Sequence, residues 1–355
     1  MATARNSSKH VQWMWDASPN PFATSPKPEW THYSDMESII IEEAFQAGHT
    51  HAFLDDYTIE FKRNIQILNS DENRQRPIMR KECNSSEVPI RVHRFMFEPI
   101  TATNPFGGLY GWISPFIREA AKHLKITRKQ LPSKDKSMVP IIVDKAAAGI
   151  IEEGNKIGKR IKAEKFAKKL LDTKGQGMVE VWKCCARLYS GEDFLYKKMN
   201  EAMRLVGSKE HEHVWRDTAR TLGPFSLLLW DNPMNDKAIQ TGTILYRGAD
   251  LTSEQLAMYE KDCAAQPKPV RSFQSFVSCS RNRNEALKFG ETLFIMNVKH
   301  AFAVDLKPYS EYQNEDEELI SPGVCFTIER IYFDKIIERR VIDLHLFQQY
   351  RRKFI

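Results

Sequence analysis

The chain has 355 residues, of which 42% are hydrophobic and 28% charged, with a formal net charge of +6 at pH 7. That length allows two domains with ordinary hydrophobic cores, the apolar runs are too short to cross a bilayer, and no membrane partner is expected. The modest positive charge falls short of a dedicated nucleic-acid binder and favours a smaller anionic ligand, a phosphate-bearing molecule among them.

The opening MATARNSSKHVQWMWDASPN lacks the apolar stretch and cleavage site of a secretory signal, so the chain is expected in the cytoplasm or nucleus with reduced thiols. Its six cysteines form no CxxC pair and none of the ten histidines stands at ligand spacing, so no metal is expected. Residues 10–82 are rich in tryptophan and tyrosine and read as short strands around one helix, SDMESIIIEEAFQAG, with Ser34 as N-cap and Gly48 as the stop. The polar, Pro/Gly-rich 83–111 reads as a linker. From 112 to 232 the apolar residues recur three and four apart, which predicts helices over WISPFIREAAKHL, DKAAAGIIEEGNKIGKRIKAEKFAKKLL, GMVEVWKCCARLY, EDFLYKKMNEAMRLV and HVWRDTARTLGPFSLLLW. The lysines of 156–169 are interrupted by Ile157, Ile161, Phe166 and Ala167 at core spacing and are expected on a solvated outer face.

From 242 onward the texture becomes β, with GTILYRG, VRSFQSFVSCS, TLFIMNV, AFAVDL, ELISP, CFTIERIYF and RRVIDLHLF as predicted strands, so helices followed by strands indicate an α+β class. Three elements here carry chemistry. Arg247 closes an apolar strand and precedes Gly248, where a guanidinium fork can hold a phosphate. Ser278 and Ser280 project to one face of the next strand, together with Phe276. The stretch YSEYQNEDEELISPG then gathers five acidic residues, and if ELI begins a strand, Glu315 and Glu317 share a face with Asp316 turned away. Each element alone has an ordinary structural reading: an edge arginine, serines satisfying the backbone, an exposed acidic turn.

Taken in order, Tyr246-Arg247-Gly248, Ser278-Cys279-Ser280 and Glu315-Asp316-Glu317 resemble the R-S-E class of ADP-ribosyltransferases, the clostridial-toxin-like enzymes that move ADP-ribose from NAD+ to arginine. The resemblance covers 175–355 and departs at Cys279, which should point away from the site, and at Glu318, where the family usually has an aliphatic residue. It implies a split β-sandwich catalytic domain and NAD+ as co-substrate. Glu317 would stabilise the ribose cation and Glu315 would hold and deprotonate the acceptor arginine. Arg247, Gly248, Ser278, Ser280 and Phe289 would hold NAD+, and Tyr312 would recognise the protein substrate, the tyrosines at 309 and 312 bracketing it. Polymer synthesis is disfavoured, because the polymer-forming class normally has a histidine in place of Arg247 and lacks the upstream glutamate. An NAD+ glycohydrolase and an inactive adaptor remain open at this point.

The N-terminal VQWMW, EWTHY, IIIEEAF, YTIEF and NRQRPIMR resemble the WWE module, a small half-barrel around a helix, with Trp13, Trp30 and Glu42 as its naming residues and both tryptophans expected in the core. Several such modules bind poly-ADP-ribose, and the matching ligand positions are Tyr57, Gln66 and Arg76. The expected organisation is therefore a WWE domain at 10–82, a linker at 83–111, a helical connecting region at 112–174 and the catalytic domain at 175–355. The implied partners are proteins with exposed arginine and ADP-ribosylated proteins or poly-ADP-ribose.

Overall fold

The computed structural model describes residues 10–22, 27–83, 113–191, 193–234, 241–310 and 316–348. The first part of the chain gives β1 (His10–Asp16), β2 (Trp30–His32), α1 (Asp35–Gln46), β3 (His51–Phe53), β4 (Tyr57–Glu60), β5 (Ile65–Leu68) and β6 (Asp71–Cys83). These strands form a sheet of order β2-β1-β6-β5-β4-β3. The helix α1 starts where Ser34 and Glu37 close a capping box, and its chain turns away at Gly48 with φ +70°. Its Ile41 packs with Trp13, Leu54, Ile59 and Ile78. Trp30, expected in the core, is instead 36% exposed on a strand whose three residues all face solvent. Glu42 explains why Trp13 is fixed: its carboxylate accepts from Trp13 Nε1 at 2.8 Å and from Arg80 Nε and Nη2 at 3.0 and 2.8 Å.

The helical part comprises α2 (Pro115–His123), α3 (Met138–Lys156), α4 (Arg160–Leu171), α5 (Met178–Ser190), α6 (Phe194–Arg204), α7 (Glu212–Thr221) and α8 (Gly223–Trp230). Two of the long predicted helices are broken. The first divides at Gly158, and the second divides after Thr221, where Pro224 opens α8 and cannot continue the preceding ladder. All these helices share one core, which also takes in Met36 of α1 and Phe276, Leu306 and Leu319 of the later strands. The connecting region at 112–174 is thus packed into the same core as the helices that follow it.

The lysine-rich segment forms a solvated face only in part, at Lys156, Arg160 and Lys168. Lys159, just before α4, pairs with Asp56, and along α4 Lys165 and Lys169 pair with Glu43 and Lys162 with Glu37, so acidic groups of the N-terminal part take up these four charges. Asp55 caps α4 from outside it, accepting from Ile161 N at 2.7 Å. Phe166 and Ala167 face the core as their spacing predicts, whereas Ile157 is 40% exposed.

The last part contains β7 (Ile244–Ala249), α9 (Ser253–Ala264), β8 (Arg271–Ser272), β9 (Val277–Ser280), α10 (Arg283–Ala286), β10 (Thr292–His300), β11 (Ala303–Asp305), β12 (Glu317–Ile320), β13 (Cys325–Asp334) and β14 (Arg339–Phe347). Among the described residues they form one sheet, β11-β12-β9-β7-β10-β14-β13-β8. The predicted strand over 270–280 is in fact two, because the chain crosses between halves of that sheet: β8 pairs with β13 and β9 with β12. Between them Phe273 exchanges backbone bonds with Val324 and Gly323, and Gln274 reaches the Val206 carbonyl at 3.0 Å. The halves meet where Tyr246 of β7 pairs with Ser280 of β9. Val277, Cys279, Ile320, Phe294 and Phe326 fill the sandwich core between them.

Candidate active site

Alternation along β9 divides its residues cleanly. Val277 and Cys279 enter the sandwich core, and Ser278 and Ser280 take the other face, opposite Leu319 and Glu317 of β12. Phe276 lies on that same side in the helical core, 5.4 Å from the Tyr189 ring, which in turn meets Tyr196 at 5.2 Å. Cys279 points away from this face, as expected, and its thiol donates to the Glu318 carbonyl at 3.2 Å.

Arg247 has the parity of Leu245 and Ala249, which join the sandwich core, but β7 and β9 diverge beyond their single pairing at Tyr246 and Ser280. The guanidinium therefore reaches β9, where Nη1 donates to the Ser278 carbonyl at 2.6 Å. It is 7% exposed, and burial lowers its pKa; Tyr196 opposes that shift, and the charge of Arg204, at the end of α6, adds to it. The charge of Arg204 thus adds to the cost of burying the Arg247 guanidinium, a cost that a bound anion would offset. Nothing in the sequence marks Arg204, which is one cation among several in an amphipathic helix.

Glu317, the first residue of β12, is fully buried, and its backbone carbonyl accepts from Leu306 N at 2.8 Å. Asp316, just before it, has φ +44°, accepts from Arg281 N at 3.3 Å through its carbonyl and pairs with Lys307 through its carboxylate. Glu318, the departure from the expected aliphatic residue, is 1% exposed and is held by Arg281 Nε at 2.5 Å. Burial raises the Glu318 carboxyl, and the Arg281 charge opposes that shift. Glu315 and Tyr312 lie outside the described residues. The Tyr309 ring packs edge-on against Trp182 at 5.2 Å.

The Ser278 hydroxyl is 2% exposed and has no hydrogen-bond partner among the described residues. Gly248 is needed for a different close approach from the one its place beside Arg247 implies. A Cβ there would stand 2.1 Å from the Phe289 carbonyl and 2.2 Å from that of Ala286, so the end of β7 is overlaid by the last residue of α10 and the chain that follows it. Phe289 is buried at that crossing.

In the N-terminal sheet Gln66 of β5 stands opposite Arg76 of β6 and beside Ile59 of β4, two residues from Tyr57. Gln66 is 2% exposed and accepts from the Tyr33 hydroxyl at 2.5 Å. Arg76 lies over the Trp15 ring at 5.5 Å and donates to the Asp16 and Ser18 carbonyls at 2.8 and 2.7 Å. Tyr33 and Trp15 thus join the three positions marked by the sequence.

The family model described as NAD:arginine ADP-ribosyltransferase matches residues 162–349, just over half the chain, and that of the WWE domain matches residues 11–80. Among solved structures, the ADP-ribosyltransferase HopU1 of Pseudomonas syringae pv. Tomato DC3000 is 15% identical, with 59% of this chain and 97% of that one covered and a TM-score of 0.43. The type III effector XopAI from Xanthomonas axonopodis pv. citri is 14% identical over 65% of this chain and 96% of that one, with a TM-score of 0.43. An ADP-ribosyltransferase from Clostridium botulinum is 15% identical over 56% of this chain and 94% of that one, with a TM-score of 0.37. No curated protein sequence matches.

Proposed function

Because the chain belongs to the NAD:arginine ADP-ribosyltransferase family and carries a WWE domain at residues 11–80, we propose that it transfers ADP-ribose from NAD+ to arginine side chains of proteins. The observation that carries this reading is the convergence of Arg247, Ser278, Ser280 and Glu317 on the neighbouring strands β7, β9 and β12.

In this reading Arg247 and Arg204 receive the diphosphate, which supplies the negative charge that the buried Arg247 guanidinium calls for. Gly248, Ser280 and Phe289 belong to the wall that holds the nucleotide, and Ser278 places its hydroxyl toward the ribose and Glu317. The bond from ribose C1′ to the nicotinamide nitrogen breaks with its electron pair going to that nitrogen, which loses its formal charge as nicotinamide departs. A cation develops on the ribose, and the buried Glu317 carboxylate stabilises it more than the ground state. A guanidine nitrogen of the acceptor arginine then bonds C1′ and yields its proton to Glu315, with Tyr312 beside it on the protein substrate. No metal takes part in this scheme.

The WWE domain supplies the targeting half of the proposal. Tyr57, Gln66 and Arg76 offer an aromatic face, an amide and a guanidinium to an ADP-ribose unit on a modified protein or poly-ADP-ribose. The protein acts inside the cell in this reading. Incubation with labelled NAD+ and polyarginine tests the transfer: label on the polymer supports it, whereas free ADP-ribose with an unlabelled polymer would make water the acceptor and the protein a glycohydrolase. Neither product would leave an adaptor.

A further inference from the structure

The ammonium of Lys162 is the one described lysine head group that touches both the WWE helix and the helix bearing Arg204. Its side chain is 7% exposed, and Nζ lies 2.9 Å from Ser34 Oγ, 3.1 Å from Glu37 Oε1 and 3.4 Å from Asp193 Oδ1. Ser34 and Glu37 are the capping box of α1, and Ser34 follows Tyr33, whose hydroxyl holds Gln66. Asp193 is the N-cap of α6 and accepts from Phe194 N at 2.6 Å. That helix carries Tyr196, whose ring meets Tyr189 at 5.2 Å, itself 5.4 Å from Phe276 just before β9, and it ends at Arg204. The starts of two helices from different parts of the chain are therefore tied through one buried cation. Gly191 adds a second close approach, since a Cβ there would lie 3.3 Å from Asp35 Oδ2.

We infer that Lys162 is a positioning residue for NAD+ binding, through which the WWE domain sets the placement of α6 and hence of Tyr196 and Arg204. The inference rests on the reading that Arg247 and Arg204 hold the diphosphate. The physical basis is that a buried ammonium shared by two carboxylates is held where both partners are, and withdrawing it leaves the buried Asp193 and the half-buried Glu37 without their countercharge. α6 would then shift to relieve them, and a small displacement at its start carries through a rigid helix to its end. Other ion pairs of this interface, Lys159 with Asp56 and Lys165 and Lys169 with Glu43, join α4 and its N-cap to the WWE domain without touching α6.

The test uses the full chain and measures steady-state nicotinamide release against NAD+ concentration. Lys162→Met is expected to raise KM for NAD+ on the order of tenfold while changing kcat less than about threefold. Glu37→Gln, a substitution wholly within the WWE domain, should raise KM in the same direction by a smaller factor; it stands in if Lys162→Met fails to fold. Lys159→Ala should leave KM unchanged. An active parent whose KM is unmoved by Lys162→Met or Glu37→Gln, or moved as much by Lys159→Ala, overturns the role of Lys162 and leaves the proposed function intact. A parent that neither binds nor cleaves NAD+ overturns both.

Discussion

Replacing Glu42 by Gln should weaken the N-terminal sheet by an amount that can be worked from its contacts. The carboxylate accepts from Trp13, from Arg80 through two nitrogens, and from Gln46 at 2.7 Å. The Arg80 bonds are the main cause that brings its pKa down from 4.5 to about 2, against an opposing cost of burial. That depression corresponds to about 3 kcal/mol in favour of the folded state, reduced to about 2 kcal/mol because the side chain is 22% exposed. The sign follows from the direction: the stabilisation is complete above pH 4.5 and is lost as pH falls toward 2. Glu42→Gln should therefore cost about 2 kcal/mol at neutral pH and less as the solution is acidified, since a neutral amide cannot gain the charge-assisted bonds that the parent loses. Hydrogen exchange of the β1 and β6 amides reads this locally, in parent and variant, at several pH values. Equal protection of the two proteins at neutral pH, or a difference that does not shrink on acidification, would refute the reasoning.

Gly248→Ala should destabilise the catalytic sheet by about 2 kcal/mol or more, because the added methyl meets two backbone carbonyls rather than a flexible side chain; thermal unfolding measures it. Trp13→Ala should cost about 3–5 kcal/mol in urea unfolding, and Trp30→Ala no more than about 1 kcal/mol, since only Trp13 is buried. Ser278→Ala should change stability by less than about 1 kcal/mol, because its buried hydroxyl forms no bond among the described residues, while nicotinamide release falls at least about tenfold. A large loss of stability with activity intact would assign that serine to folding alone.

The parts legible in the sequence are those whose cause is local. Ser34 and Glu37 announce a helix start three residues apart, Gly48 announces its stop, and Ser278 with Ser280 fall on one face by simple alternation. The helix α9 is marked by the same rule, because Thr252 and Gln255 form a capping box, but it stands among strand-like segments whose texture masks it. Features set by distant partners are not legible. The lysines of α4 look like a solvated stripe because the acids that receive them lie more than a hundred residues away, at Glu37, Glu43 and Asp56. The interruption between β8 and β9 depends on which strands they join, and Val277 to Ser280 carry no mark of that. Glu318 looks out of place in a buried strand until Arg281, from the end of β9, is seen to meet it. Arg204 gains meaning from Arg247, which lies on another element.

The measurement closest to the central claim is nicotinamide release from NAD+ by the parent and by Glu317→Gln, at saturating NAD+, with both proteins shown to be folded. Glutamine keeps the shape of a side chain that is fully buried and removes only its charge. If this carboxylate stabilises the ribose cation, release should fall by about 100-fold or more while NAD+ still binds. Release at the parental rate would contradict the account.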